Sequence, residues 1–329
     1  MTASLEQQRA APPPVVTRPE IELFDGNKER EPLPKYPILI LGAGQGTGAE
    51  IAKRFAREGY PLILGTRSKE KFTRLREVIV RNGGLEPQPF IADITETAEI
   101  RKAYLSLQKE GTPLHYFPLA AGGLEATGRQ VLDTIARMRI KLRKGTLTRE
   151  DLENATAYFA ELNATKSALK AAEDINLYGI LEVMNALIEN GNITPTSSIL
   201  TLSSSLSHDA DPDHPENYPG PEFYRLVALT KETGVRAVRK KAAIQGAAHV
   251  DLVAPEISGT DVGNLFEKTI PLLQHFLPTT LGSVTMDQVA NAAYAELRER
   301  QEPRQRTVFV TETGTSDKRP QWSIGTPYL

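Results

Sequence analysis

The sequence predicts an α/β fold built on a doubly wound parallel sheet of about seven strands. Short apolar runs alternate with helix-period segments between residues 37 and 310, as expected when crossover helices join parallel strands. A glycine-rich turn follows the first apolar run directly. The segment 124–174 is longer than a simple crossover needs and has the composition of extra helix.

Length, composition and charge exclude several classes of protein. The chain has 329 residues, 40% of them hydrophobic, and a net charge of -2, so composition gives no general affinity for nucleic acid. The absence of cysteine removes disulfides, thiolate catalysis and zinc–cysteine sites. No apolar run approaches the ~18 residues of a membrane span, and no signal peptide is visible, so we expect a cytoplasmic protein.

The elements follow in order from apolar runs and helical periodicity. Residues 1–34 are rich in proline and charge, so we expect a flexible N-terminal extension, with a single domain over 35–329. The predicted strands are 37–41, 61–66, 89–92, 115–120, 198–202, 249–253 and 307–310. The predicted helices are 49–58, 69–81, 94–110, 175–188 and one beginning near residue 223.

The turn between the first strand and the first helix has the spacing of a dinucleotide-binding loop. Its glycines permit a tight turn and a close approach of the backbone to a pyrophosphate. The start of the following helix presents free N–H groups and a partial positive charge to the phosphates. The predicted cofactor contacts in this turn are Gly42, Gln45, Gly46, Thr47 and Gly48.

The end of the second strand predicts which dinucleotide binds. An acidic residue there would bind the ribose 2′-hydroxyl of NAD(H), but the chain reads Gly65-Thr66-Arg67-Ser68. Arg67 can make a charge-assisted contact with a 2′-phosphate, and Thr66 and Ser68 add hydroxyl donors. We therefore expect NADP(H) as the cofactor.

Several segments, in order over residues 36–315, resemble the short-chain dehydrogenase/reductase family, which implies a Rossmann-type fold. The spacing Gly42-x-x-x-Gly46-x-Gly48 resembles the glycine loop of its ketoreductase branch. The resemblance implies further cofactor contacts near the adenine, the nicotinamide ribose and the nicotinamide amide: Asp93, Ile94, Ala121, Gly122 and Pro255. The asparagine that begins the family's Asn-Ala-Gly turn is absent here, because Ala120 stands in its place.

The resemblance also implies a set of catalytic residues. Asn176 resembles the helix asparagine that holds a water in the proton relay, and Ser204 the serine that holds the substrate carbonyl. The common Tyr-x-x-x-Lys pair is missing after Ser204. Instead Tyr224 and Lys231 form a Tyr-x6-Lys pair, which resembles the enoyl-acyl-carrier-protein reductase branch. Tyr218 is a second candidate for the acid, although it lies among loop residues.

These residues predict an NADPH-dependent oxidoreductase that reduces a ketone or an α,β-unsaturated carbonyl, with Tyr224 stabilising the oxygen that gains charge. The substrate is a small molecule, either free or bound to a carrier, and the family implies a homodimer or homotetramer. Two alternatives remain open. The chain could bind the cofactor as a sensor or scaffold, or catalyse a cyclisation or dehydration in secondary metabolism.

Two segments are expected to shape the substrate pocket. In the helical insertion 124–174, Thr148 and Asp151 resemble a capping box, so a helix should start near residue 149. The basic stretch 137–144 before it is interpreted as a solvated helix face rather than a platform for an anionic carrier. The loop 206–222 holds two histidines and three aspartates, but their spacing matches no structural metal site, so we predict a substrate lid and no metal.

Overall fold

The computed structural model describes residues 35–107, 111–119, 129–220, 222–258, 283–298, 305–311 and 314–317. The predicted N-terminal extension lies outside these residues, as do Ala121 and Gly122. The strands are β1 (Ile38–Leu41), β2 (Leu62–Thr66), β3 (Gln88–Ile91), β4 (His115–Pro118), β5 (Ser198–Ser204), β6 (Ala248–Ala254), β7 (Glu256–Ser258), β8 (Ser283–Thr285), β9 (Gln305–Thr311) and β10 (Gly314–Ser316). The helices are α1 (Gly46–Arg57), α2 (Lys69–Arg81), α3 (Thr97–Leu107), α4 (Arg129–Arg143), α5 (Arg149–Asn163), α6 (Lys166–Glu173), α7 (Gly179–Glu189), α8 (Ser205–His208), α9 (Glu222–Ile244) and α10 (Met286–Arg298).

An eight-stranded central sheet has the order β10-β9-β6-β5-β4-β1-β2-β3. Its neighbours pair in parallel except β10, which is antiparallel to β9. The strand order reverses between β1 and β4, which is the switch point where ligands bind in open α/β sheets. The predicted doubly wound fold is therefore confirmed, with β10 as an eighth strand too short to give a sequence pattern.

Helices cover both faces of the sheet, and the alternation of side chains along each strand explains why. In β1, Ile38 and Ile40 belong to one buried cluster, whereas Leu39 and Leu41 belong to the other. The first cluster includes buried residues of α1 and α10, and the second includes those of α3, α7 and α9. A strand buried on both faces needs the continuous apolar run that the sequence shows.

In the described part of the segment 124–174 there are three helices, α4, α5 and α6, and α5 packs against the start of α9. The Thr148 side chain accepts a hydrogen bond from the Asp151 N–H, and the Asp151 carboxylate accepts one from the Thr148 N–H, so the predicted capping box is present. Phe159 of α5 is buried in one cluster with Tyr224 and Val227 of α9. The insertion thereby supports the start of α9.

Some element boundaries differ from the sequence predictions. The helix predicted from residue 94 begins at Thr97, because the Asp93 carboxylate accepts hydrogen bonds from the Thr95 N–H and hydroxyl in a turn. Helix α10 was not predicted; it packs on α1, where the Arg54 guanidinium lies 4.0 Å from the centre of the Tyr294 ring. Within the described ranges, every helix is too short or too polar to cross a membrane.

Candidate active site

The carboxyl end of β5 brings two hydroxyl groups together. Ser204 is the last residue of β5, and its Oγ lies 3.4 Å from the Tyr224 hydroxyl and 3.0 Å from Ser207 Oγ. Ser204 also caps α8, because its Oγ accepts a hydrogen bond from the Ser207 N–H at 3.1 Å. The cap fixes the serine hydroxyl at the edge of the sheet, beside the first turn of α9.

Helix α9 carries both members of the Tyr-x6-Lys pair. Tyr224 is buried in the first turn, and the partly buried Lys231 follows two turns later on the same helix. Seven residues correspond to roughly 10.5 Å along the axis and keep the two side chains on one face. The arrangement places the phenol next to Ser204 and the ammonium deeper along the helix.

Tyr218, the second candidate for the acid, occupies a different environment. Its hydroxyl is buried and has no hydrogen-bond partner among the described residues. Burial, together with the neighbouring Tyr224, raises the pKa of Tyr218 well above its usual value. Gly220 turns tightly around this side chain, since a Cβ there would lie 2.3 Å from the Tyr218 hydroxyl oxygen. The Tyr218 hydroxyl is therefore packed against Gly220 of its own loop, whereas the Tyr224 hydroxyl lies 3.4 Å from Ser204 Oγ.

Asn176 lies in a π-helical turn, Asp174–Tyr178, that leads into α7. Its side-chain amide donates to the Thr230 hydroxyl at 3.0 Å, and Thr230 directly precedes Lys231. The backbone carbonyl of Asn176 approaches α9 so closely that a Cβ at Gly234 would lie 2.1 Å from its oxygen. The asparagine is therefore locked against the part of α9 that bears the lysine.

The glycine turn forms a cradle at the carboxyl end of β1. Gly42 and Gly46 have φ values of 81° and 60°, in the left-handed region that favours glycine. A Cβ at Gly48 would lie 2.3 Å from the Gly42 carbonyl oxygen, so the third glycine lets α1 start against the strand end. Gln45 precedes the helix without capping it, and Thr47 lies in a first turn that has no acidic residue. The first N–H groups of a helix have no acceptor within that helix, and together with this close approach they fit a nicotinamide dinucleotide.

Of the two polar residues that follow β2, Ser68 caps a helix and Arg67 pairs with an acid. Ser68 caps α2: its Oγ accepts from the Lys71 N–H at 3.2 Å and donates to the Glu70 carboxylate at 2.8 Å. The exposed Arg67 guanidinium lies 3.6 Å from the Asp93 carboxylate. Partial burial raises the pKa of the Asp93 carboxyl, but hydrogen bonds from Thr95 and the charge of Arg67 outweigh it, so the net pKa is lowered.

Sequence reasoning missed a second cation at this edge. A Cβ at Gly44 would lie 3.2 Å from Lys71 Cδ and 2.7 Å from Thr66 Oγ1, so the Lys71 stem crosses the glycine turn. The available signal was its position four residues after Arg67, at the start of α2. Arg67 and Lys71 thus bring two positive charges to the cofactor cradle.

The remaining predicted cofactor residues lie at the same edge. Ile94 follows β3, and its carbonyl oxygen would lie 2.4 Å from a Cβ at Gly179, so the turn after β3 packs on the start of α7. Pro255 is buried directly after β6. No described histidine, aspartate or glutamate belongs to a group of three that could hold a metal ion. In the loop 206–222, Asp211 and Asp213 instead pair with Arg236 of α9.

A sequence match to a known family covers the part of the chain that carries the glycine turn. A family model described as short chain dehydrogenase matches residues 37–141, which include the glycine turn, β2 and β4. Over these residues the chain is similar to the short-chain dehydrogenase family. The family fold binds a nicotinamide cofactor at the carboxyl edge of the sheet, where this chain presents its glycine cradle.

Two curated proteins are similar to this chain over parts of their sequences. A glycine betaine reductase of Emericella nidulans is 20% identical over 278 residues, which cover 83% of this chain and 19% of the relative. A Streptomyces protein named as a daunorubicin C-13 ketoreductase is 29% identical over 92 residues, which cover 28% of this chain and 32% of the relative. The chain therefore spans less than two thirds of either relative.

Solved structures share the fold at low sequence identity. An alcohol dehydrogenase of Thermococcus sibiricus, complexed with 5-hydroxy-NADP, has a TM-score of 0.56 at 17% identity, covering 87% of this chain and 99% of that one. A 7α-hydroxysteroid dehydrogenase complexed with NADH has a TM-score of 0.58 at 17% identity, and the match covers 86% of this chain and 95% of that one. The L-sorbose reductase of Gluconobacter frateurii, complexed with NADPH and L-sorbose, has a TM-score of 0.54 at 11% identity. The match covers 80% of this chain and 90% of that one.

Proposed function

We propose that this protein is a short-chain dehydrogenase that acts as an NADP(H)-dependent reductase of a carbonyl group. The observation that carries the proposal is the 3.4 Å separation between Ser204 Oγ and the Tyr224 hydroxyl. Hydroxyl donors bind an oxygen at about 2.7 Å, so two hydroxyls at this separation can both reach one substrate oxygen. Convergent donors on one oxygen are what a carbonyl needs as it gains negative charge.

The side chains of the site have distinct roles in this reaction. A bound nicotinamide supplies hydride to the electrophilic carbon of the substrate. Tyr224 donates its proton to the substrate oxygen, while Ser204 donates a hydrogen bond that holds this oxygen in place. Lys231 binds the nicotinamide ribose, and its positive charge stabilises the phenolate that Tyr224 becomes. Asn176 anchors the lysine-bearing part of α9 through Thr230.

The cofactor cradle supports NADP(H) over NAD(H). The end of β2 carries Arg67 and no acidic residue of its own, and Lys71 adds a second positive charge beside the glycine turn. A 2′-phosphate is dianionic or nearly so at neutral pH, so two nearby cations strengthen its binding. A 2′-hydroxyl carries no charge, so the same cations do not strengthen its binding in this way. Asp93 competes for Arg67, so the phosphate must displace or share this pair.

A ketone is the substrate class that the Ser204–Tyr224 contact favours. The Tyr-x6-Lys spacing is the specific observation in favour of the second candidate, reduction of an α,β-unsaturated carbonyl. In that case Tyr224 would stabilise the enolate oxygen, and hydride would reach the β-carbon. A ketone or an α,β-unsaturated carbonyl could each be free or bound to a carrier. Both reactions change only the carbonyl region of the substrate and leave the end that is attached to a carrier unchanged.

Oxidation of NADPH by the purified full chain, measured against matched panels of ketones and enones, tests this proposal. We expect turnover with ketones, and we expect the rate with NADPH to exceed the rate with NADH. Turnover only with enones would move the assignment to the second candidate. If the chain binds NADPH but oxidises it with neither panel, the reductase proposal fails, and a sensor, a scaffold or a non-redox cyclase or dehydratase replaces it.

A further inference from the structure

A second serine, Ser207 of α8, lies directly against Ser204 of the candidate site. The Ser207 N–H donates to Ser204 Oγ at 3.1 Å, and Ser207 Oγ accepts from the Ser204 N–H at 2.8 Å. The two Oγ atoms lie 3.0 Å apart. Ser204 is partly exposed, whereas Ser207 is 0% exposed. A side chain without exposed surface does not touch a substrate, so any effect of Ser207 on the reaction passes through Ser204.

Helix α8 has only four residues, but its contacts hold Ser207 in this position. The Ser205 hydroxyl donates to the Ala254 carbonyl of β6 at 3.4 Å. Leu206 packs against the buried cluster that contains Tyr224 of α9. These contacts connect α8 both to the sheet and to the cluster around α9, so the backbone of Ser207 is fixed where it meets the end of β5.

The hydrogen-bonding capacity of Ser204 Oγ limits what its neighbours can do. A serine hydroxyl offers one proton and two acceptor sites, and the Ser207 N–H fills one acceptor site. Two hydroxyls lie within reach of the second site, that of Ser207 at 3.0 Å and that of Tyr224 at 3.4 Å. If Tyr224 filled it, the phenol proton would point at the serine instead of at a substrate oxygen.

The distances favour Ser207 as the donor to this second site. Its proton has two acceptors at 3.0 Å, the Ser204 carbonyl oxygen and Ser204 Oγ. The carbonyl of an N-cap residue already accepts the first hydrogen bond of its helix, and Ser204 is the N-cap of α8. The Ser207 oxygen also lies closer to Ser204 Oγ than the Tyr224 oxygen does, and hydrogen bonds between hydroxyls are commonest near about 2.8 Å.

We propose that Ser207 is a positioning residue that makes Ser204 act only as a hydrogen-bond donor to the substrate oxygen; this inference rests on the proposed function. With its N–H and its hydroxyl, Ser207 fills both acceptor sites of Ser204 Oγ. The Ser204 proton then points toward Tyr224 in the free protein and toward the substrate oxygen during reduction. Tyr224 cannot lose its proton to Ser204, so both hydroxyls donate to the substrate oxygen together.

A double-mutant cycle on kcat tests whether Ser207 acts through Ser204. The variants are Ser207→Ala, Ser204→Ala and the double variant, and the substrate is the member of the ketone and enone panels with the highest kcat/KM. Ser207→Ala should lower kcat by about three- to tenfold, the range for one hydrogen bond, and leave NADPH affinity unchanged. On the Ser204→Ala background it should lower kcat by less than about twofold, because the oxygen that it orients is already gone.

Ser205→Ala is the matched control for this cycle. It removes a buried hydroxyl from the same helix, but that hydroxyl donates to the Ala254 carbonyl. We expect its kcat to stay close to that of the wild type. Equal losses of kcat in Ser205→Ala and Ser207→Ala, or an equal effect of Ser207→Ala on both backgrounds, overturn the positioning role. If Ser207→Ala fails to fold, Ser207→Cys replaces it, because a thiol fills the space but is a weak donor.

Urea unfolding of the same variants tests the contact between the two serines without a substrate. We expect the double variant to lose less urea midpoint than the sum of the two single losses, because both substitutions remove the same hydrogen bonds. Additive losses overturn the contact. If the wild type reduces neither ketones nor enones, the proposed function fails and the role of Ser207 in it fails too, while the urea data still decide whether the serines are coupled. If the wild type turns over and the kcat losses multiply, only the positioning role is overturned.

Discussion

Tyr224 is the residue on which the proposed proton transfer depends. We expect Tyr224→Phe to lower kcat by about 10²–10⁴, because it removes the positioned acid and leaves the ring in the buried cluster that also contains Phe159. Cofactor affinity should be nearly unchanged. Steady-state kinetics and an NADPH titration check both parts.

Tyr218→Phe is the matched control for this prediction. It removes a buried hydroxyl that has no partner among the described residues, so it should act mainly on KM and leave kcat within a few-fold. If Tyr218→Phe abolishes turnover while Tyr224→Phe resembles the wild type, the roles are reversed. A ketoreductase with a displaced lysine would then describe the site better than a Tyr-x6-Lys pair.

Arg67 carries the prediction of cofactor choice. Arg67→Ala should weaken NADPH binding by about 1.5–3 kcal/mol, the range for a charge-assisted contact, and leave NADH binding almost unchanged. Lys71→Ala, tested in parallel, should act in the same direction. Equal losses for NADPH and NADH in a binding titration would remove Arg67 from the 2′-phosphate.

At the scale of elements, the capping box of α5 supports the start of α9. Thr148→Ala should lower the free energy of unfolding by about 1 kcal/mol, because the Asp151 N–H loses its acceptor at the helix start. Thr73→Ala in α2 is the control, since its exposed hydroxyl only returns to the Lys69 carbonyl within the helix. Urea unfolding of both variants measures the difference. Equal effects would show that the cap contributes nothing beyond a lost hydroxyl.

At the scale of the whole molecule, the proposed assembly is a homodimer or a homotetramer. The chain has a mass of 36.2 kDa, so light scattering coupled to gel filtration should give two or four times this value. The basis of this prediction is the resemblance to the short-chain dehydrogenase/reductase family, which implies pairing through helices of the 124–174 segment. A mass of one chain at micromolar concentration would contradict the prediction.

The sequence by itself determined the sheet and its cofactor edge. The alternation of Ile38 and Leu39 between two cores, the glycine turn after β1 and the Thr148 cap are all local patterns. Each depends on residues within one turn or one strand, where backbone geometry translates spacing directly into structure. The helix that begins at Arg149 in the 124–174 segment could be predicted for the same reason, because its capping box is a local pattern.

Helix α10 was missed although Thr285 and Gln288 form a capping box at its start, in which the Gln288 N–H donates to Thr285 Oγ1 and the Thr285 N–H donates to Gln288 Oε1. Strands β7, β8 and β10 were missed because each has three residues.

The tertiary structure alone decided which side chains meet. Ser204 contacts Tyr224 twenty residues later, and Asn176 reaches Thr230 across a separation of 54 residues. No local pattern encodes these contacts, so the sequence left Tyr218 and Tyr224 as rivals. Distances between remote residues follow from the packing of whole elements, and packing is the property that a one-dimensional pattern does not contain.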